Sequence, residues 1–166
     1  MIDTQPDHNV SINYDQLVVL EPNTKMDYKI INPLETLEEK WTYINSSINW
    51  TWLYESLTVE EKNAAFQPLV DCETADEIFK QYKRYLYMLC KYDDIYFSPT
   101  IAMDIAWHAH ILDSQAYFRD CHALFGRYQH HFPYFGARGE GDRSNLLEAF
   151  ENTRKIYQFE FDEILD

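Results

Sequence analysis

The chain has 166 residues, 46% hydrophobic and 16% aromatic, with 28 acidic against 14 basic side chains and a formal charge of −14. That length and apolar share suit one globular domain with a sizeable core, and they exclude a wholly disordered acidic tail. The acidic balance, with a pI near 4.7, speaks against direct nucleic-acid binding, which needs a Lys/Arg-rich face for phosphate contacts.

Residues 1–31 hold short, partly β-branched runs at 10–14, 17–20 and 28–31, read as an extended or β-like N-terminal arm. From residue 32 to 166 the signals are helical, so the expected fold is mainly α: a compact single-domain helical bundle behind that arm. Asn32 and Pro33 supply an N-cap and a first-turn proline for a helix to about Ser46. Thr58 to Glu61 and Thr74 to Glu77 both have the capping-box form, and each predicts a helix start. In the second, Ile78, Phe79, Tyr82, Tyr85, Leu86, Leu89 and Cys90 recur at helical spacing, with Lys80, Lys83, Arg84 and Lys91 on the opposite side. Ser98 and Pro99 cap a further helix, Asp113 and Ser114 begin another that ends at Gly126, and Asp142 or Ser144 starts the last.

No stretch approaches the roughly 18 uncharged apolar residues that span a bilayer, and the first residues lack the basic and apolar regions of an export signal. A cytoplasmic protein away from the membrane is expected. Three cysteines, Cys72, Cys90 and Cys121, match no zinc-ribbon spacing and cannot pair completely, so reduced thiols are the default.

The chemistry is concentrated in the segment 99–136, where five of the six histidines fall between His108 and His131. Imidazole, thiolate and carboxylate are the ligand types of zinc and iron. His108, His110, Cys121, His130 and His131 are the candidate ligands, with Asp104, Trp107, Asp113, Tyr117 and Asp120 as supporting groups. Asp104 and His108 are four apart and share a helix face. His108 and His110 are two apart, which turns their side chains by about 200° to opposite sides of a straight helix. The preferred set is His108 and Cys121 with His130 or His131, and His110 or Asp104 as the fourth group. Adjacent histidines ahead of Pro133 lie in extended chain and face opposite ways, so one of that pair ligates. His122 points away from the inward face of its helix and is left out. A Cys121–His nucleophile pair is disfavoured by the thiol's helix-interior position. The loop from Gly136 to Asp142 reads as a solvated connection or a flap, with Arg138 available for an anionic ligand.

The run from Tyr82 through Pro99, Asp104, Trp107, His108 and His110 to Tyr117, Asp120, Cys121 and Gly126 resembles the glycine-rich domain-containing protein-like family in its short bacterial form. The resemblance covers roughly residues 74–136 and implies that these residues act as one constellation; it implies no reaction. Two functions are carried forward. One is a small α-helical metalloprotein holding zinc or iron, acting as a hydrolase or oxygen-using enzyme if the site is open. The other is a non-catalytic acidic interaction protein whose His/Trp/Cys motif is structural. Neither the small-molecule or protein partner nor the oligomeric state follows from the sequence.

Overall fold

The structure, a computed structural model, describes residues 31–62 and 69–165. The arm expected over 1–31 lies outside the described residues except for Ile31. Six α-helices occur among the described residues: α1 Leu37–Ser46, α2 Trp50–Thr58, α3 Cys72–Lys91, α4 Ile101–Leu112, α5 Ser114–Phe125 and α6 Glu140–Phe161. No strand occurs among them, in keeping with the mainly α expectation. None of these helices is long and apolar enough to cross a membrane.

α3 is the axis of the fold, packing against α1, α2, α4 and α6. Its stripe buries Ile78, Phe79, Tyr82, Tyr85 and Leu86, as the spacing predicts, and leaves Cys90 half-buried at the edge of the core. The opposite side meets acidic groups of α6 and the residues after it. Arg84 pairs with Glu163 at 2.8 Å and Lys91 with Glu160 at 2.8 Å. The core is rich in tyrosine, which is tolerable only because each buried hydroxyl finds a partner. Tyr82 reaches His110, Tyr117 donates to the Gln129 carbonyl, and Tyr157 accepts from Arg84.

Several predicted boundaries move. α1 is capped by Thr36 in a reciprocal box with Glu39, not by Asn32. The stretch from residue 32 instead runs along the end of α5, where the Leu34 N–H donates to the Ala123 carbonyl at 2.9 Å. Thr58 does not open a helix: it is the last residue of α2, its hydroxyl donates back to the Tyr54 carbonyl, and a 3₁₀ turn, Glu60–Lys62, follows. α2 itself was not predicted. α3 begins earlier than Thr74, because Asp71 accepts the Thr74 N–H at 2.8 Å and is the true cap. Thr100, one residue past Ser98-Pro99, caps α4. Asp113 and Gly126 bound α5 as expected, Gly126 in the left-handed conformation at φ 68°.

α6 starts at Glu140 after Gly139, ahead of Asp142 or Ser144. Asp142 sits in its first turn, and the carboxylate reaches back to accept from the amides of Gly136 and Arg138 and from the Arg138 guanidinium. Gly136 has φ 89°, and a Cβ there would stand 2.5 Å from Leu146 Cδ2. Gly136→Ala is therefore expected to lower stability by about 2 kcal/mol through strain and overpacking. Chemical denaturation measures this, and Gly126→Ala, with only a 3.5 Å contact to Pro33, should cost less.

Candidate functional site

α4 presents two histidine faces, and they serve different places. His110 points into the core and is 2% exposed. Its Nε2 lies 3.0 Å from Asp120 Oδ2 on α5, and its Nδ1 lies 3.0 Å from the Tyr82 hydroxyl on α3. An ionised carboxylate only accepts, so Nε2 carries a proton and, in the neutral ring, Nδ1 accepts from Tyr82. Asp120 also accepts from the Tyr43 hydroxyl at 2.6 Å and from Arg119 at 2.8 Å. Burial pushes the Asp120 carboxyl up, but the hydrogen bonds from His110 and Tyr43 and the Arg119 charge outweigh it and hold it below the usual aspartate value. The same carboxylate pushes the Tyr43 hydroxyl further up than burial alone does. This network ties α1, α3, α4 and α5 together at one buried point.

The other face of α4 opens on a cleft of about 980 Å³. Asp104 and His108, one turn apart, stand on its floor beside His131 from the segment after α5. His131 Nε2 donates to Asp104 Oδ1 at 2.7 Å, and His108 Nε2 lies 3.6 Å from Asp104 Oδ2. One ligand atom from each of the three lies within 4.8 Å of the other two, making this a group that could hold a metal ion. His108 is 45% exposed and His131 only 14%, so the cluster has one side against protein and one toward solvent.

The segment carrying His131 is held by a relay. Trp107 Nε1 donates to the Tyr117 hydroxyl at 2.7 Å, and that hydroxyl donates to the Gln129 carbonyl at 2.5 Å. The Trp107 ring then meets His131 edge to face, with centroids 4.7 Å apart. Tyr117→Phe is expected to cost about 1–2 kcal/mol in denaturant melts, because it orphans the indole N–H and frees the Gln129 carbonyl.

The five candidate ligands thus separate. His108 and His131 join with Asp104, which the sequence had placed mainly in support. His110 is committed to Asp120 and Tyr82, and the rotation between positions 108 and 110 is what divides them. Cys121 is buried beside Tyr117 and Gln129, and burial raises its thiol pKa. A thiol held in that state is a poor nucleophile. His130 turns outward against the Tyr128 ring, 4.9 Å between centroids, though it still lines the cleft. His122 packs against Phe118 with the rings tilted, 4.6 Å between centroids. Asp113 caps α5 and does not enter the cluster. Arg138 has its charge paired with Asp142 at 2.7 Å, so the anion contact expected of it is already filled within the chain.

The whole of this geometry, from the buried network to the cleft, falls inside residues 44–152 apart from Tyr43, and over those residues the chain matches the model of the UCP032817-like family. The chain belongs to the UCP032817-like family. That match covers about two-thirds of the chain and corrects the resemblance to the glycine-rich domain-containing protein-like family. The UCP032817-like match extends beyond the residues behind that resemblance to α2 and the first half of α6. The family name states no activity or ligand. No curated protein and no solved structure matches the chain.

Proposed function

We propose that Asp104, His108 and His131 bind one divalent ion, zinc or ferrous iron, and that the protein carries out metal-dependent chemistry in the cleft above it. The observation behind this reading is the convergence of two imidazoles and one carboxylate within 4.8 Å on a partly solvent-facing floor. Three protein ligands with open positions are the pattern of catalytic zinc and of non-haem iron, whereas structural zinc closes its fourth position with protein. When bound, such an ion polarises a substrate oxygen or activates water or dioxygen. Metal–ligand bonds of about 2.0–2.2 Å put ligand atoms roughly 3–3.5 Å apart. The Asp104–His108 separation of 3.6 Å already approaches this. Cation binding at His131 Nε2 would take the place of its hydrogen bond to Asp104, and in the neutral ring the proton would then sit on Nδ1.

Untagged protein treated with chelator and titrated calorimetrically with Zn²⁺, and with Fe²⁺ under anaerobic conditions, tests this. One equivalent per chain and a raised melting midpoint are expected. Less than about a tenth of an equivalent, with stability indifferent to chelator, would sink the metal reading. A second reading then stands, supported by the 2.7 Å His131–Asp104 hydrogen bond, which pairs both groups without an ion. In it the cluster only pins the returning segment, and the chain is a non-catalytic interaction protein that uses its acidic surface.

A further inference from the structure

We propose that the cleft over the Asp104–His108–His131 cluster takes a small organic cation, an alkylammonium with an apolar body, and that Asp93 and Asp94 receive its charged head. This deepens the reading of that cleft as the functional site and rests on it. The volume, about 980 Å³, is at the upper end of what encloses a small organic ligand. The connection from α3 to α4 and the connection from α5 to α6 both line the cleft. The first brings Asp93, Asp94 and Tyr96 to it and no cation. There the Ile95 N–H closes a turn on the Tyr92 carbonyl at 3.2 Å, which puts the two aspartates side by side at the tip. Both are exposed, and neither side chain has an ion pair or hydrogen bond among the described residues.

The charge of the lining favours a cation. Arg138 is neutralised by Asp142 at 2.7 Å, so Asp93, Asp94 and Asp104 stand against Arg127 alone. Arg127 belongs to the α5–α6 connection and gives an N–H to the Gln129 side chain at 2.8 Å. Asp104 already accepts from His131 at 2.7 Å, which leaves Asp93 and Asp94 as the carboxylates without a partner. The net charge of −14 adds a long-range pull on any cation. A second observation separates this wall from an ordinary solvated acidic turn. Tyr96, two residues past Asp94, is 82% exposed, and its ring has no aromatic or cationic partner among the described residues. A bare tyrosine face attracts an ammonium and the methylenes next to it. Ile101, also 82% exposed, lines the same cleft and offers apolar surface for the rest of the chain.

The test is calorimetric titration of hexylamine, its neutral counterpart hexanol and the short amine ethylamine into chelator-treated protein and into the same protein loaded with Zn²⁺. Hexylamine is expected to bind about tenfold or more tighter than hexanol, through charge-assisted hydrogen bonds. It should also bind about tenfold or more tighter than ethylamine, which lacks four of its methylenes. Asp93→Asn with Asp94→Asn should remove the preference for the amine over the alcohol. Glu73→Gln with Glu148→Gln, which deletes two exposed charges elsewhere, should keep it. Both double variants should melt as the parent does, because all four side chains are exposed. Equal binding of amine and alcohol, equal binding of the two amines, no binding of hexylamine, or the same loss of preference in both double variants overturns the proposal. So does displacement of hexylamine by Zn²⁺, which would put its head on Asp104. Because the amine is first read on metal-free protein, failure here is separable from failure of the metal titration.

Discussion

Asp120→Ala should lower the unfolding free energy by about 3–5 kcal/mol in urea or guanidinium denaturation, the range found when one partner of a buried ionic network is removed. The carboxylate serves three donors at once: His110 at 3.0 Å, Tyr43 at 2.6 Å and Arg119 at 2.8 Å. Removing it leaves an imidazole N–H and a phenol buried without their acceptor, and a largely covered guanidinium without its counter-charge. A loss below about 1 kcal/mol, the value of an ordinary hydrogen bond, would contradict this account. The acid limb provides a second readout. The folded-state pKa of Asp120 is below its ordinary value of 3.8, so its contribution is complete above that pH. It fades as pH falls through the lower folded value, because the unfolded chain takes up the proton first. Asp120→Asn should flatten this acid slope as well as lowering stability at neutral pH.

Asp104→Ala and His131→Ala are each expected to weaken metal binding by more than about 100-fold, beyond the 10–100-fold that loss of a supporting group costs. His108→Ala belongs in the same class, although its greater exposure makes replacement of the imidazole by water easier. His110→Ala is the contrasting variant. It should lose several kcal/mol of stability through Asp120 and Tyr82 while its folded fraction still binds one ion. Calorimetry with Zn²⁺ and thermal melting on the same four proteins separate the two histidines of α4. If His110→Ala abolished metal binding in folded protein while His131→Ala did not, the assignment of faces would be reversed.

What the sequence disclosed follows the range of the forces involved. Caps and stripes act over three or four residues, so α3, α4 and α5 were legible in it, and Asp113 and Gly126 were placed correctly. α2 escaped because Trp50, Thr51 and Trp52 are indifferent helix formers. Its Asn49 cap, which accepts the Trp52 N–H at 3.4 Å, has no Glu or Gln three residues on to complete a box. The Thr58 box failed for the opposite reason: the local pattern was present, but its hydroxyl was already bonded to the preceding turn. Within the site, helix geometry alone divided His108 from His110. Which face met the cleft depended on α3 and on the returning segment, and that is tertiary information. Cys121 was correctly expected to point inward, yet inward led to packing under Tyr117, away from the cluster. That His131, and not His130, stands beside Asp104 likewise depends on Asp104 and Trp107, tens of residues away in the chain.

Asp113 ends α4 and caps α5 with no residue in between. Such a joint fixes the angular timing of the two helices. One inserted residue would turn α5 by about 100°, carrying Asp120 off His110 and Tyr117 off Trp107 in the same stroke. The buried network and the support of the cleft are therefore geared together, and neither can be retuned in length alone. A transplant of this chemistry into another helical scaffold would have to carry Ile101–Phe125 as one piece.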